Sequence, residues 1–387
     1  MQQVYLDNNA TTPLDPLVFE AMKPHYLEDF GNASSIHSFG QKASSAVERA
    51  RSQVAELIGA RTREIVFTSG GTEADNAALR GVATHHRSRG NHILTAATEH
   101  SAVLHTCEQL EREGFRVSCL PVDREGMISL DQFKEAIEDK TTLISIMHGN
   151  NEIGVIQPIK EMAAIARERE VLFHTDAVQT VAKIPVNVAE LGVDLLSLSA
   201  HKIHGPKGVG ALYVRSGVSI DPLLYVGSHE RSRRAGTLNV PGIVGLGRTA
   251  ELAKEALKDF STRVGALRDR LEKGILEQIP GTVVNGSKSR RVPHLTNISF
   301  RSIEGEALLI SLDLEGVAVS TGSACASGTV EPSHVLTALG GKPQLHKSAI
   351  RFSLSRMNTE QEINYVVSVL PKIVKRMREV SPSYRVG

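Results

Sequence analysis

Three short stretches set chemically capable residues next to chain turns. In "SLSAHKIHGPKG", Lys202 closes an apolar run and precedes a glycine-rich turn, with Ser199, His201 and His204 crowded around it. Solvent lysines usually sit among other charges, and a lysine at a strand end of an α/β protein faces the ligand crevice. The plain alternative is a surface lysine that begins a loop. In "FHTDAVQT", Asp176 ends another apolar run and Gln179 follows three positions later; alone, such an aspartate reads as a helix cap. "FTSGGTEADNAALRG" runs from a strand through Gly70 and Gly71 into a helix, leaving backbone N–H groups and the positive helix end to face an anion. By itself that is also a turn followed by an N-cap with an acidic first turn. Taken in order, a phosphate cradle, a carboxylate and a lysine are the parts that pyridoxal 5′-phosphate needs. The lysine forms a Schiff base, the carboxylate keeps the pyridinium nitrogen protonated so that the ring accepts electrons, and hydroxyl and amide groups hold the rest.

A fourth stretch, "VSTGSACASGTVEPSH", sets Cys325 among residues too small to build much of a core. Two readings stand here: a nucleophile, or a small buried cysteine at the end of a strand. Cys107 lies in a helical run and Cys119 in a strand run, and both read as core. Three thiols, an odd count without CxxC spacing, in a chain too large to need stapling favour a reducing compartment.

These residues must be positioned by the elements between them. The apolar, β-branched runs "EIVFTS", "NHILTA", "RVSCLPV", "TTLISIMH", "VLFHTDAV", "DLLSLSAH" and "VGALYVR" alternate with helical stretches such as 101–113, 129–138 and 159–169. That alternation predicts an α/β fold, a mainly parallel sheet flanked by helices with ligands at the carboxyl ends of the strands. From about Pro241 to Gln278 a long charged helical stretch leads out of the strand-rich region. Beyond it, "LTNISF", "GVAVST" and "SAIRFSLS" as strands, with helices over "EGEALLISLDLE", "SHVLTALG" and 359–378, make a smaller α+β unit. The 387 residues hold apolar material for two cores, and 44 basic against 43 acidic residues give no overall attraction for nucleic acid or an anionic membrane. No opening targeting segment and no membrane span is legible, which points to a soluble, cytoplasmic protein.

The segments "YLDNNATTP", "FTSGGTEADN", "TEHSAV", "MHGNNEIG", "HTDAVQT", "SAHKIHGPKG", "RAGTLNVPGIVG", "GSACASG", "EPSHVLTALG" and "IRFSLSR" span nearly the whole chain. In this order the chain resembles a cysteine desulfurase of the NifS/IscS type, in the class V aminotransferase family. The resemblance implies the aspartate-aminotransferase-like fold (PLP fold type I), with a large cofactor domain over 16–258. A small α+β domain from 1–15 and 259–387 would carry the cysteine loop. It implies residue roles as well. Lys202 is the Schiff-base lysine, Asp176 the partner of the ring nitrogen, and Gln179 a hydrogen bond to the ring phenolate oxygen. Gly71, Thr72, Ser199 and His201 grip the phosphate, and Thr237 reaches the phosphate of a neighbouring subunit in a homodimer with shared sites. His100 lies over the ring, where an imidazole stacks and shuttles protons near neutral pH; without the resemblance it reads as an ordinary helix-start residue. Asn151, beside the cofactor, and Arg351 hold the substrate carboxylate, a task suited to the planar guanidinium fork.

The implied reaction converts L-cysteine to L-alanine: Lys202 removes the Cα proton and Cys325 takes the sulfur as a persulfide for an acceptor protein or iron–sulfur scaffold. No resident metal is implied, and contact of Cys325 with a nascent iron–sulfur cluster is left open. Two departures bear on this. Ala33 stands where the family commonly has proline in "GNPSS", with a modest expected effect. The sequence ends with "SPSYRVG", which favours the NifS-like over the IscS-like reading of partners. The remaining alternatives are a selenocysteine lyase or another class V aminotransferase in which Cys325 is incidental, and a non-catalytic scaffold that keeps the fold.

Overall fold

The computed structural model describes residues 2–225, 227, 229–321 and 333–380. Cys325 lies outside the described residues. The strands are β1 Val4–Tyr5, β2 Ile65–Thr68, β3 His92–Ala96, β4 Arg116–Leu120, β5 Thr141–Ser145, β6 Leu172–Asp176, β7 Leu195–Ser199, β8 Gly210–Val214, β9 Thr282–Val284, β10 Leu295–Phe300, β11 Val317–Ala318 and β12 Ala349–Ser353. Seven of them form one sheet in the order β2-β8-β7-β6-β5-β3-β4. Within it β8 alone runs antiparallel to its neighbours.

The inner strands are buried on both faces, as their unbroken apolar runs predict, because helices cover both sides of a parallel sheet. Ser38–Ile58 and Val240–Asp259 pack together on one face, where Val47, Val54, Ile243 and Leu246 join a core that includes Phe173, Leu196 and Leu198. On the other face Gly71–His85 and Ser101–Arg112 bury Leu79, Val82, Val103 and Leu110. Each of these fully buried side chains contributes about 1.5–3 kcal/mol of transfer free energy.

The predicted helical stretch after Pro241 is one run: Val240–Asp259, a wider π-type turn at Phe260–Val264, and Gly265–Gln278. The π turn lies where the chain passes from the large-sheet core to a second apolar core. That core draws Val4 and Leu6 from the chain start together with Phe260, Leu271, Phe300, Leu312, Phe352 and Leu370. It surrounds the antiparallel sheet β12-β10-β9 and the parallel pair β1-β11, in which Val4 lies opposite Val317.

One expectation needs correcting. Cys107 is buried, but Cys119 is exposed. Its strand, β4, is the edge of the large sheet, and the burial along Arg116–Leu120 is irregular rather than complete. The apolar look of "RVSCLPV" did not separate an edge strand from an inner one.

Candidate active site

The chemistry-bearing segments meet at one rim of the large sheet. Asp176 and Ser199 are the last residues of β6 and β7, and the turn carrying Gly70 and Gly71 follows β2. Antiparallel β8 begins at this rim, so that Gly210 lies opposite both Thr68 and Ser199. A Cβ on Gly210 would come within 2.8 Å of the Gly70 Cα, so the rim closes this tightly only with glycine there. His100 and the Gly149–Asn151 turn follow β3 and β5 at the same edge.

At the helix end, Gly71 opens the fifteen-residue helix Gly71–His85. A side chain on Gly71 would strike Val178 Cγ2 at 2.9 Å. Ser199 lies under this turn, 3.7 Å from that hypothetical Cβ, and its buried hydroxyl has no partner among the described residues. Thr72 is exposed and lines a cleft of about 370 Å³ with His100, Ser101 and Arg80. His201 directs Nδ1 to Thr11 Oγ1 at 3.1 Å; burial and the adjacent Lys202 bring its pKa down to about 4, so it is neutral at physiological pH.

Asp176 is buried and accepts from the Val178 N–H at 2.9 Å. No helix follows Asp176 directly, so the helix-cap reading is wrong: the bond closes a turn at the strand end, and it engages one of the two carboxylate oxygens. Burial raises the Asp176 pKa while His100 and Lys202 act in the opposite sense. His100 caps the helix Ser101–Arg112, its Nδ1 accepting from Ala102 N–H at 3.1 Å. So the helix-start reading holds, and the cap fixes the ring with its faces and Nε2 uncommitted to that bond. Burial, then Lys202 and His334, depress its pKa, against the pull of Asp176.

Lys202 lies in a single 3-10 turn, Ala200–Lys202, directly after β7. Its Nζ donates to the carbonyls of Asn9 at 2.7 Å and Ala10 at 2.9 Å. Arg351, on β12, is buried; it donates to Asp7 Oδ1 at 2.7 Å and to the Asn151 carbonyl at 3.1 Å, and its Nε has no partner among the described residues. Thr237 is exposed, on the stretch before Val240–Asp259. That stretch is tied down by the buried Arg51–Glu230 pair at 2.7 Å and by Arg234 on Glu73 at 2.8 Å. Ala33 costs little, because Asn32 closes the same turn by accepting from Ser34 N–H at 2.9 Å.

Asn9 is a residue to which the sequence reading gave no role. Its carbonyl accepts from Lys202 and from Gln179 Nε2 at 3.1 Å, its Nδ2 donates to the Asn151 carbonyl at 3.0 Å, and its Oδ1 meets His294 Nε2 at 2.8 Å. Ser353 Oγ accepts from its N–H at 2.9 Å. Every polar atom of Asn9 is therefore engaged, and it joins Lys202, Gln179 and Asn151 across both cores. The strand-poor segment "LDNNATTP" offered no periodic signal for this; polar residues in an apolar neighbourhood were the one available hint.

Behind Asp176 lies a buried polar chain. His174 contacts Ser145 Oγ at 2.9 Å and Ser197 Oγ at 3.0 Å, and its Nε2 lies 3.7 Å from Asp75 Oδ1. Burial first, then the charge of Asp176, hold the Asp75 pKa well above the usual carboxylate range, and burial likewise raises that of Glu99. Burial brings His174 down to about 3. Burial and the Asp176 charge thus both favour the protonated form of Asp75, whereas His100 and Lys202 favour the ionised form of Asp176. A carboxyl whose folded pKa is raised contributes stability below its unfolded value, about 3.9, and loses it as pH rises toward the folded value. Asp75→Asn, a neutral isostere, should therefore match the wild type in stability near pH 4 and exceed it at pH 8. Urea unfolding at the two pH values checks this, and an equal offset at both would contradict a protonated Asp75.

The chain is similar to known proteins over nearly its whole length. The model of the class-V aminotransferase family matches residues 4–366. Cysteine desulfurase IscS of Dictyoglomus turgidum is 52% identical over 381 residues, 98% of this chain and 97% of its own. A solved NifS-like protein superposes with a TM-score of 0.91 at 40% identity, covering 97% of this chain and 100% of the other. SspA, solved in complex with cysteine, gives 0.82 at 37% identity over 91% and 99%. The chain belongs to the class-V aminotransferase family and, within it, to the cysteine desulfurases.

Proposed function

We propose that the protein converts L-cysteine to L-alanine with pyridoxal 5′-phosphate at the rim site, and passes the sulfur through Cys325 to an acceptor. One observation carries the reading: the Lys202 amine, the buried Asp176 carboxylate and the Gly70–Gly71 helix end converge on one rim, with Ser199 Oγ buried there and unpartnered among the described residues. These residues fit the cofactor. A buried hydroxyl without a partner costs about 1–3 kcal/mol, which a phosphate oxygen at the helix end would offset. Gly71, Thr72, Ser199 and His201 hold the phosphate, Asp176 keeps a proton at the ring nitrogen, Gln179 donates to the ring oxygen and His100 covers the face. When bound, the cofactor supplies an electron sink that acidifies the substrate Cα–H.

Lys202 takes that proton, and the same amine later returns one to carbon. Asn151 and Arg351 fix the substrate carboxylate, for which the unpartnered Arg351 Nε is suited. Cys325 attacks the substrate sulfur as thiolate: the Cβ–S bond breaks, an S–S bond forms, Cβ gains a hydrogen, and the products are alanine and Cys325 persulfide. The segment that carries it begins at this site, because Ser320 pairs with Arg351. On its far side Ser333 donates to the buried Glu152, in the turn that carries Asn151.

The division into a large domain, 16–258, and a small domain, 1–15 with 259–387, is supported by the separate cores, the second of which unites Val4 and Leu6 with Phe260 onward. A homodimer is supported by exposed Phe19, Tyr26, Leu27, Phe30 and Phe39, apolar surface that a second copy would cover. Exposed Thr237 then completes the phosphate site of the other copy. Among the described residues no helix is long and apolar enough to cross a membrane, in keeping with a cytoplasmic enzyme. The acceptor is an iron–sulfur scaffold or a thiolation protein.

The purified protein, loaded with pyridoxal phosphate, should be yellow, bleach with borohydride, and yield equal alanine and sulfane sulfur from cysteine. A protein that stays colourless after pyridoxal phosphate is added would overturn the reading.

A further inference from the structure

Lys183, four residues beyond Gln179, is only 4% exposed. Its Nζ donates to Gln179 Oε1 at 2.6 Å, while Gln179 Nε2 donates to the Asn9 carbonyl at 3.1 Å. A glutamine amide can exchange its oxygen and nitrogen by a half-turn at almost no cost in shape, so contacts at both ends decide which faces where. Here both ends are decided. The Asn9 carbonyl only accepts, so it faces nitrogen; the Lys183 amine holds the oxygen at the far end. One N–H of Gln179 is left over.

We infer that Lys183 is a positioning residue that locks the Gln179 amide so that an N–H, and never the carbonyl, is offered to the cofactor's ring oxygen. The inference rests on the role given to Gln179 above. A lysine suits the place for a physical reason. Burial first, then the nearby cations Lys202 and Arg351, hold its pKa well below the usual range. Its other titratable neighbours, His201, His204 and His294, are themselves depressed, in each case with Lys183 among the causes. The amine donates to Gln179 in either protonation state, and burial favours the form that adds no charge beside Lys202. Lys183 and Lys202 also line one cavity of about 20 Å³, room for a single water that can satisfy the rest of the amine.

The test compares Lys183→Met, Gln179→Ala and the double variant as cofactor-loaded enzymes without substrate, reading the pH midpoint of the visible absorbance change. Withdrawing an N–H from the ring oxygen leaves its negative charge less stabilised, so the proton it shares is held to higher pH. Gln179→Ala should raise the midpoint by about one pH unit, tenfold in proton affinity. Lys183→Met should raise it by a similar amount, and the double variant should equal Gln179→Ala alone. In turnover, Lys183→Met should lower kcat with KM for cysteine unchanged, since Lys183 touches no group assigned to the substrate carboxylate. A shift in Gln179→Ala without one in a folded Lys183→Met overturns the inference alone. No shift in Gln179→Ala overturns the role of Gln179, and the inference with it. If Lys183→Met does not fold, Lys183→Gln, which keeps a donor, carries the test: a midpoint near the wild type supports the lock, and a shift equal to that of Gln179→Ala overturns it.

Discussion

Lys202→Ala should take up pyridoxal phosphate yet retain none of it covalently after borohydride, and its alanine production should fall by about 10²–10⁴-fold. In the proposed reaction the amine takes the Cα proton, and it donates to two carbonyls, those of Asn9 and Ala10. Of the neighbouring imidazoles, His201 is directed to Thr11, and the His100 ring is fixed by its Nδ1 cap of Ser101–Arg112. Mass spectrometry of the reduced protein locates the adduct, and a steady-state assay gives the loss. A reduced adduct on a lysine other than Lys202 would refute the assignment.

Cys325→Ser should show a different failure. Substrate should still bind and still change the visible spectrum, because Lys202, Asn151 and Arg351 are intact, but sulfide release under reducing conditions should drop by about 10³-fold or more. A serine hydroxyl is almost wholly protonated at neutral pH and is a poor nucleophile toward sulfur, whereas a thiol is partly ionised. The two variants thus separate proton abstraction from sulfur transfer. Sulfide release at the wild-type rate in Cys325→Ser would remove the nucleophile role and favour an aminotransferase in which this thiol is incidental.

The residues that could be read in the sequence are those whose function depends on local context. Asp176 and Lys202 end apolar runs, and a strand end in an α/β chain has a known orientation, so their convergence follows from the alternation of elements. Gly70 and Gly71 were legible for the same reason. Asn9 was not. It acts largely through its backbone carbonyl, and its partners lie at Asn151, Gln179, Lys202, His294 and Ser353. Lys183 looks like any lysine before "IPVN", and only its burial distinguishes it. The three-residue strand β9 is too short to carry a period, and Cys119 shows that apolar composition does not reveal which strand of a sheet lies outermost.

The pairing of Asp7 with Arg351 and of Asn9 with Ser353 joins positions near the two ends of the chain. A ribosome making this protein therefore completes the glycine turn, Asp176 and Lys202 long before it adds β12. The partial chain holds the amine and the carboxylate but not the guanidinium to which the proposed function gives the substrate carboxylate. On that reading the lysine waits without a means of gripping substrate until β12 emerges and draws the first residues into place.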